Sequence, residues 1–271
     1  MTELSDSGFK QIQCLFEQYT GIQLADHKKM AVANRLFGRL TYFNFDCFDD
    51  YLNLLNQTSH QQELQIFIDK LTTHETYFFR EKDQFDWLDD HLTQYKKQPP
   101  SHTLSVWSAA CSSGEEVYSL AMTFHAALGS DGWNVFGNDI SEVAIQTAQA
   151  ATYPIKKVQR IPKHYRNAYC LKGVGEFEGK FTLCDDIKQR CLFTSHNLLQ
   201  FDQETSIKFD VIFLRNVLIY FTPIKQKEIV DKVIDKLSFG GLLFLGHSEN
   251  IVRDHCDLEQ VEHCIYKKVS L

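Results

Sequence analysis

The stretch that decides the fold runs from Leu104 to Met122 and reads LSVWSAACSSGEEVYSLAM. It opens as a short apolar run, passes through small residues to a break at Gly114, and resumes with apolar residues at helical spacing. This order predicts a strand, a tight turn and a helix, which together open a βαβ unit. Small residues let a ligand approach the backbone, whereas Glu115 and Glu116 at the helix start would repel a phosphate. The stretch therefore predicts an α/β sheet whose ligand carries hydroxyls, an amine or a positive centre.

The composition indicates a chain that can bury large cores. It has 271 residues, 44% of them hydrophobic, which is enough for two domains. The formal net charge of −7 argues against a nucleic-acid partner. The 8 cysteines contain no C-x-x-C, and the His-Cys pairs at 255–256 and 263–264 lack the usual ligand spacing, so no metal site is expected. With no signal-peptide pattern and no long apolar run, we expect a cytoplasmic protein that does not insert into a membrane.

Residues 1–95 have the periodicity of helices and predict an N-terminal all-helical domain. Its second helix, from Asp26 to about Leu40, carries three basic side chains within about 40° of one another, namely Lys28, Arg35 and Arg39. This face is either a solvated helix surface or a docking surface for an acidic partner.

A polar segment with a proline pair, residues 96–102, predicts the linker to a second domain at 103–271. Within that domain, residues 153–190 interrupt the alternation of strands and helices with prolines, glycines and short alternating pieces. We interpret them as a small inserted antiparallel β-subdomain with a hairpin near Gly173–Gly175.

Polar residues end several strands of the predicted sheet. Asp139 ends the second strand, where such folds hold ribose hydroxyls. Asn197 and Asn216 end two later strands. Because the carboxyl ends of parallel strands meet at one edge of a sheet, these residues predict one site along that rim.

Five stretches spread over nearly the whole chain resemble the chemotaxis receptor glutamate methyltransferases of the CheR type. They are the basic N-terminal helix, Thr73–Arg80, WSAACSSGEE from Trp107, FLRNVLIYF from Phe213, and GGLLFLGHSEN from Gly240. The resemblance implies a Rossmann-like class I methyltransferase sheet, an N-terminal helical domain and a small inserted β-subdomain. It also implies S-adenosylmethionine as cofactor, S-adenosylhomocysteine as product, and methyl esterification of glutamate side chains. The implied partners are methyl-accepting chemotaxis receptors, through their cytoplasmic helical domain and in some cases a C-terminal tail peptide. A monomer is expected.

Motif positions in the family imply a set of cofactor contacts, and the first of them departs from the residue that is common in the family. That position, His74, often holds Asn in the family, although an imidazole can still donate one hydrogen bond. Glu115 and Asp139 can accept hydrogen bonds from the methionyl ammonium and the ribose hydroxyls respectively. The implied contacts are His74, Thr76, Arg80, Glu115, Asp139, Asn197, Leu198, Arg215 and Asn216.

Arg80 and Tyr220 are the candidate catalytic residues. Methyl transfer to a carboxylate has an already ionised nucleophile, so it needs positioning and the exclusion of water more than acid–base chemistry. Tyr220 is expected to orient the substrate glutamate, the alternative being a core tyrosine. Arg80 would hold the carboxylate of either the substrate or the cofactor, and the sequence leaves both open. The basic helix face would then dock the receptor's glutamate-rich helices.

Two other classes of function compete with this interpretation. A nucleic-acid amino-methyltransferase would carry a proline pair after the fourth strand, where this chain reads Asn216-Val-Leu-Ile-Tyr220. A non-catalytic S-adenosylmethionine-binding sensor or scaffold of the same fold is the second alternative. Intact Arg80, Asp139 and Tyr220 disfavour it.

Overall fold

The computed structural model describes residues 3–57, 61–97, 102–200, 207–249, 251–252 and 255–270. The α-helices there are α1 (Asp6–Thr20), α2 (Lys29–Phe43), α3 (Phe48–Leu55), α4 (Gln61–Leu71), α5 (Lys82–Lys97), α6 (Glu115–Leu128), α7 (Glu142–Ala150), α8 (Lys163–Tyr169), α9 (Asp185–Lys188) and α10 (Pro223–Lys236). The strands are β1 (Leu104–Ala109), β2 (Trp133–Asp139), β3 (Thr152–Pro154), β4 (Cys170–Lys172), β5 (Lys180–Leu183), β6 (Cys191–Ser195), β7 (Phe209–Leu214), β8 (Leu237–Leu245), β9 (Leu258–Glu262) and β10 (Ile265–Lys268). None of the described helices has the length and apolar character needed to cross a membrane.

Seven strands form the main sheet in the order β6-β2-β1-β7-β8-β10-β9. The first five run parallel, and β10 and β9 complete the sheet as antiparallel strands. Central strands β1 and β7 are almost entirely buried, as expected of strands covered by helices on both faces. The strand order reverses beside β1, and the crevice at such a switch point is where open α/β sheets bind ligands. The predicted Rossmann-like fold is confirmed.

The first four helices enclose a core of their own, in which Phe16 and Phe67 meet edge to face at 6.0 Å between ring centroids. Helix α5 does not belong to that core. Its buried Phe85, Leu88 and Leu92 pack with the sheet, and the Phe85 ring lies 5.6 Å from that of Phe213. The all-helical domain therefore ends near residue 72 and not at residue 95, because the apolar side of α5 faces the sheet.

The predicted linker at 96–102 overlaps the last two residues of α5. Helix α5 continues to Lys97, and β1 begins at Leu104. Residues 98–101 of the predicted linker lie outside the described residues.

The segment at 153–190 contains a separate three-stranded antiparallel sheet in the order β3-β5-β4. Strands β4 and β5 form the predicted hairpin, and the loop between them includes Gly173–Gly175. Helix α8, which the sequence interpretation lacked, fixes this insert to the rest of the molecule, since Tyr165 stacks on Phe79 at 5.0 Å. Both β3 and β4 are edge strands.

Candidate active site

A cavity of about 400 Å³ lies between the all-helical domain and the carboxyl ends of β1, β2, β6 and β7. Phe16, Val32 and Leu71 contribute to its helical wall, and Asp139 and Leu198 to its sheet wall. The volume falls within the usual range for small-molecule sites. The topology thus forms a ligand-sized cavity at the switch point of the sheet.

The turn after β1 approaches this cavity in a strained backbone conformation. Ala110, Ser112 and Gly114 have positive φ angles of 64°, 51° and 89°. A Cβ atom on Gly114 would lie 2.7 Å from the Cβ of Ala148, so only glycine fits there. Non-glycine residues with positive φ angles cost conformational energy. They are concentrated at functional sites, because the surrounding structure must enforce this conformation.

Asp139 anchors that turn and also lines the cavity. Its Oδ2 accepts a hydrogen bond from the Ser112 N–H at 2.8 Å, and its Oδ1 accepts one from the Ser141 N–H at 3.0 Å. Each carboxylate oxygen keeps a lone pair for a further donor. Burial raises the pKa of Asp139, while these backbone donors and His74 oppose that rise. The carboxylate is therefore held rigidly and can still accept ligand hydroxyls.

The structure does not bring Glu115 to the cavity, contrary to the sequence prediction. Glu115 is fully buried and bonded to Ser113 and Lys157 on the side of the insert. Its neighbour Glu116 lines the cavity and accepts hydrogen bonds from Ser108 at 2.8 Å and from Arg215 at 2.9 Å. Consecutive residues on a helix point about 100° apart, so only one of the two acids can face the cavity.

Arg215 lines the cavity, but its guanidinium is engaged by the protein itself. It donates to Glu116, to Gln84 at 2.7 Å and to the Arg80 carbonyl at 2.6 Å, and its side chain is 1% exposed. This buried cation links the end of β7 to α6, to α5 and to the segment before α5. Its contribution to the site is to hold that segment in place.

The loop after β7 is held by a carboxylate that the sequence interpretation did not identify. Glu249, which is 4% exposed, accepts hydrogen bonds from four backbone N–H groups at 2.7–3.0 Å. Burial raises its pKa, and the same backbone donors oppose that rise. The only sequence feature that could have identified Glu249 is its place in the GHSEN stretch. The four donors belong to Asn216, Val217, Leu218 and Gly246.

These hydrogen bonds to Glu249 form a clamp on the loop after β7. The clamp fixes Asn216, which lines the cavity and has a φ angle of 56°. Its side-chain amide donates to Glu81 at 3.1 Å. Gly246 approaches so closely that a Cβ atom there would lie 2.7 Å from the Asn216 amide nitrogen. The loops after β7 and β8 are thus locked together at the edge of the cavity.

Arg80 and Tyr220 both line the cavity. Arg80 donates to the Glu75 carbonyl at 2.7 Å and lies over the Tyr77 ring. Burial raises the pKa of Tyr220, and the positive charge of Arg80 partly offsets this rise. The two candidate catalytic residues therefore lie close enough for the charge of Arg80 to affect the pKa of Tyr220.

The remaining predicted contacts line the cavity in different ways. Thr76 and Leu198 form part of its wall, and Leu198 is also buried in the hydrophobic cluster that contains Trp107 and Phe209. Asn197 donates to the Tyr19 carbonyl at 3.0 Å and accepts from the Leu199 N–H at 2.9 Å, so its amide fastens α1 to the sheet. His74 lies close to the hydroxyls of Thr72 and Ser112.

The predicted basic face divides into two parts. Lys28 and Arg35 line the cavity, and Arg35 also donates to carbonyls at the end of α4, with 3.0 Å to that of Leu71. Arg39 does not reach the cavity. It forms a bidentate ion pair with the buried Glu63, so its positive charge is neutralised within the helical core.

A group of possible metal ligands lies elsewhere, on the surface. His255, Cys256 and Asp257 bring one ligand atom each within 4.8 Å of one another. The expectation of no metal site stays a prediction.

The residues present fit S-adenosylmethionine. Asp139 offers carboxylate lone pairs for hydroxyls, and the volume suits a small cofactor. The three acids of the wall, Glu75, Glu116 and Asp139, tolerate a positive centre.

Comparison with known proteins agrees with this geometry. Residues 74–266 match the family described as CheR methyltransferase, SAM binding domain, and residues 7–72 match the CheR methyltransferase all-alpha domain. A chemotaxis protein methyltransferase of Escherichia coli K12 is 40% identical over 92% of this chain and 87% of its own length. Relatives of the same name in Salmonella typhimurium LT2 (38%, over 91% and 85%) and, as methyltransferase 2, in Pseudomonas aeruginosa PAO1 (34%, over 95% and 91%) also match. The chain belongs to the CheR methyltransferase family, whose cofactor is S-adenosylmethionine.

Proposed function

We propose that this protein methylates glutamate side chains of chemotaxis receptors, forming methyl esters that adjust chemotactic signalling. The observation that carries the proposal is one cavity lined by Asp139, Arg80 and Tyr220 in a chain of the CheR family. The relatives are named chemotaxis protein methyltransferases, which supports receptors as substrates.

S-adenosylmethionine supplies an electrophilic methyl group when it is bound. Asp139 would hold the ribose, because its carboxylate is fixed by two backbone donors and has lone pairs left. Glu116 would tolerate the cofactor's positive centre in place of Glu115. With both ligands bound, exclusion of water by the cavity walls would keep the nucleophilic carboxylate poorly solvated.

The substrate carboxylate would meet Arg80 and Tyr220. Arg80 has a guanidinium that can hold a carboxylate, whether of the substrate or of the cofactor. The Tyr220 hydroxyl would orient the glutamate by a hydrogen bond, and burial favours its protonated, donating form. Catalysis would then arise from alignment of an ionised nucleophile.

The receptor would dock at two places. Lys28 and Arg35 would attract glutamate-rich helices of its cytoplasmic domain to the cavity, in a protein whose net charge is −7. The insert would hold a C-terminal tail peptide in receptors that have one, since its edge strands can take an added strand. Leu171 and Phe177 beside that edge are 54% and 58% exposed. We expect the enzyme to act as a cytoplasmic monomer.

Transfer of a tritiated methyl group to receptor-containing membranes tests the proposal. A methyl ester releases its label as volatile methanol in alkali, whereas a methylated nitrogen does not. The expected result is alkali-labile label that disappears when the receptor glutamates are changed to alanine. Cofactor binding without transfer would instead indicate a sensor or scaffold, and alkali-stable label would contradict esterification.

A further inference from the structure

The insert has a basic segment, although the protein as a whole is acidic. Residues 143–175 include no aspartate or glutamate but six lysines and arginines. One of the six, Lys157, is neutralised by the buried Glu115. Three others are exposed and have no ion pair among the residues that the structure describes, namely Lys156, Arg160 and Lys163.

These three cations lie close together in the chain and form what we call the insert basic surface. Lys156 and Arg160 belong to one 3₁₀-helix, Ile155–Arg160, in which each residue adds about 2.0 Å of length. From Arg160 to Lys163 the chain can span no more than about 11 Å. The three positive charges are therefore concentrated in a small part of the insert.

Arg160 connects the insert basic surface with the candidate active site. Its guanidinium carbon lies 5.0 Å from the centroid of the Tyr77 ring, and that of Arg80 lies 5.8 Å from the same centroid. Both distances are those of cation–π contacts. Arg80 lines the cavity, as does Thr76 next to Tyr77. One aromatic ring thus contacts a cation of the insert and a cation of the site.

The shared ring limits the distance between the two arginines. Because both distances end at one centroid, the guanidinium carbons are no more than about 11 Å apart, which is the rise of two α-helical turns. Residues three, four or seven positions apart lie on one face of a helix, one or two turns from each other. A helix that presents one glutamate to Arg80 can therefore present a second acid to Arg160.

We propose that Arg160, with Lys156 and Lys163 beside it, binds a second acidic side chain of the receptor helix, one or two turns from the methylated glutamate. The inference rests on the proposed function and extends it to a residue that selects among glutamates. A guanidinium suits this role, because it can bind a carboxylate through two parallel hydrogen bonds. A helix fits better than an anionic membrane surface, since a flat surface cannot reach into the cavity beside Arg80.

A double-mutant cycle on receptor methylation tests the proposal. The substrate is a soluble cytoplasmic receptor fragment without a tail peptide, in which the second acid is either kept or changed to glutamine. Arg160→Gln and loss of that acid should each raise the KM about fivefold, and the two together should raise it no further. Lys188→Gln is the matched control and should leave the KM unchanged, because Lys188 belongs to the insert but already pairs with Asp185.

Other outcomes separate this inference from its alternatives. The S-adenosylmethionine Kd of Arg160→Gln, measured by calorimetry, should equal that of the wild type. A KM that rises equally for both fragments would mean that Arg160 only supports Tyr77, and it would overturn the inference. An unchanged KM with lost binding to phosphatidylglycerol vesicles would assign the surface to a membrane and overturn it as well. If the wild type methylates neither fragment, the proposed function fails instead.

Discussion

Glu63 in the helical half of the molecule and Glu249 in the sheet half are both buried, and the two are stabilised in opposite ways. Glu63 in the helical core is 5% exposed and bound by the Arg39 guanidinium and by the Tyr51 hydroxyl at 2.7 Å. Glu249 beside the cavity is 4% exposed and bound by four backbone N–H groups. The first carboxylate joins side chains of a core, whereas the second determines the shape of a loop.

Positive φ angles also occur in different places in the helical core and at the cavity. The positive φ angles of the helical core, at Gly21 and Asn44, lie at the ends of α1 and α2, where such a residue commonly terminates a helix. Those at the cavity, at Ala110, Ser112 and Asn216, end no helix. The strained backbone conformations thus lie at the cavity, where the buried carboxylates of Asp139 and Glu249 stabilise them.

The largest effect is expected at the acid that holds the turn after β1. Asp139→Ala should weaken S-adenosylmethionine binding by about 3 kcal/mol, roughly a hundredfold, because ribose hydroxyls lose a charged acceptor. Asp210→Ala is the matched control, since Asp210 accepts from the Ser105 N–H at 2.8 Å at the other end of β1. Calorimetry should find weaker S-adenosylmethionine binding in Asp139→Ala and wild-type affinity in Asp210→Ala. Equal affinity in both would remove Asp139 from the site.

Glu63 and Glu249 themselves give the second prediction. Glu249→Gln and Glu63→Gln should each lower the free energy of unfolding by about 2–4 kcal/mol, because each leaves buried donors or a buried cation unmatched. Turnover by the folded protein should fall about tenfold or more only in Glu249→Gln, whose loop carries Tyr220. Urea unfolding and methyl-transfer assays on the folded protein measure the two effects. Normal turnover in Glu249→Gln would show that the clamp serves stability alone.

Sequence patterns predicted most of this architecture, because strand and helix periodicity and motif spacing are local properties. They predicted the N-terminal helices and the inserted antiparallel sheet, and brought Asp139, Asn197 and Asn216 to one rim. The errors concern partners that are distant in the chain. No local pattern reveals that α5 packs on the sheet.

The same limit explains the errors at the site. Lys157 lies 42 residues beyond Glu115 and pairs with it on the side of the insert. Arg39 is paired with Glu63, which belongs to another helix. Glu249 acts on a loop 31–33 residues before it. Local patterns give a residue's type and position, but its partner is set by the fold.

Tyr220 tests whether the clamped loop acts on the substrate. Tyr220→Phe should lower turnover about tenfold and leave S-adenosylmethionine affinity unchanged, as expected for a group that contacts the reacting substrate. Tyr118→Phe, which removes a buried hydroxyl bonded to the Ala148 carbonyl at 2.7 Å, should lower stability only. Cofactor affinity that falls in step with turnover would make Tyr220 a cofactor contact instead.

The insert offers a smaller and more selective effect. Leu171→Asp with Phe177→Asp should reduce methylation several-fold for receptors that end in a tail peptide, because charges would disrupt an added strand and its apolar contacts. Receptors without the tail should be methylated as before. Phe239→Asp, at a 65% exposed position of β8, is the control. Undiminished methylation of tailed receptors would contradict docking at this edge.

The smallest effect is expected at the part of the basic face that reaches the cavity. Arg39 is unsuitable for this test, since reversing its charge would place two acids together in the helical core. Lys28→Glu should raise the receptor KM about fivefold, because a negative residue would repel the acidic helices that approach the cavity.

Lys227→Glu separates position from total charge, since it changes the net charge by the same amount on the exposed side of α10. It should leave the receptor KM unchanged. Because salt screens interactions between exposed charges, added salt should narrow the gap between Lys28→Glu and the wild type while S-adenosylmethionine affinity stays constant. If the two variants methylate receptors equally well at low ionic strength, receptors do not use Lys28. The helical domain would then contribute to the site only the wall that excludes water.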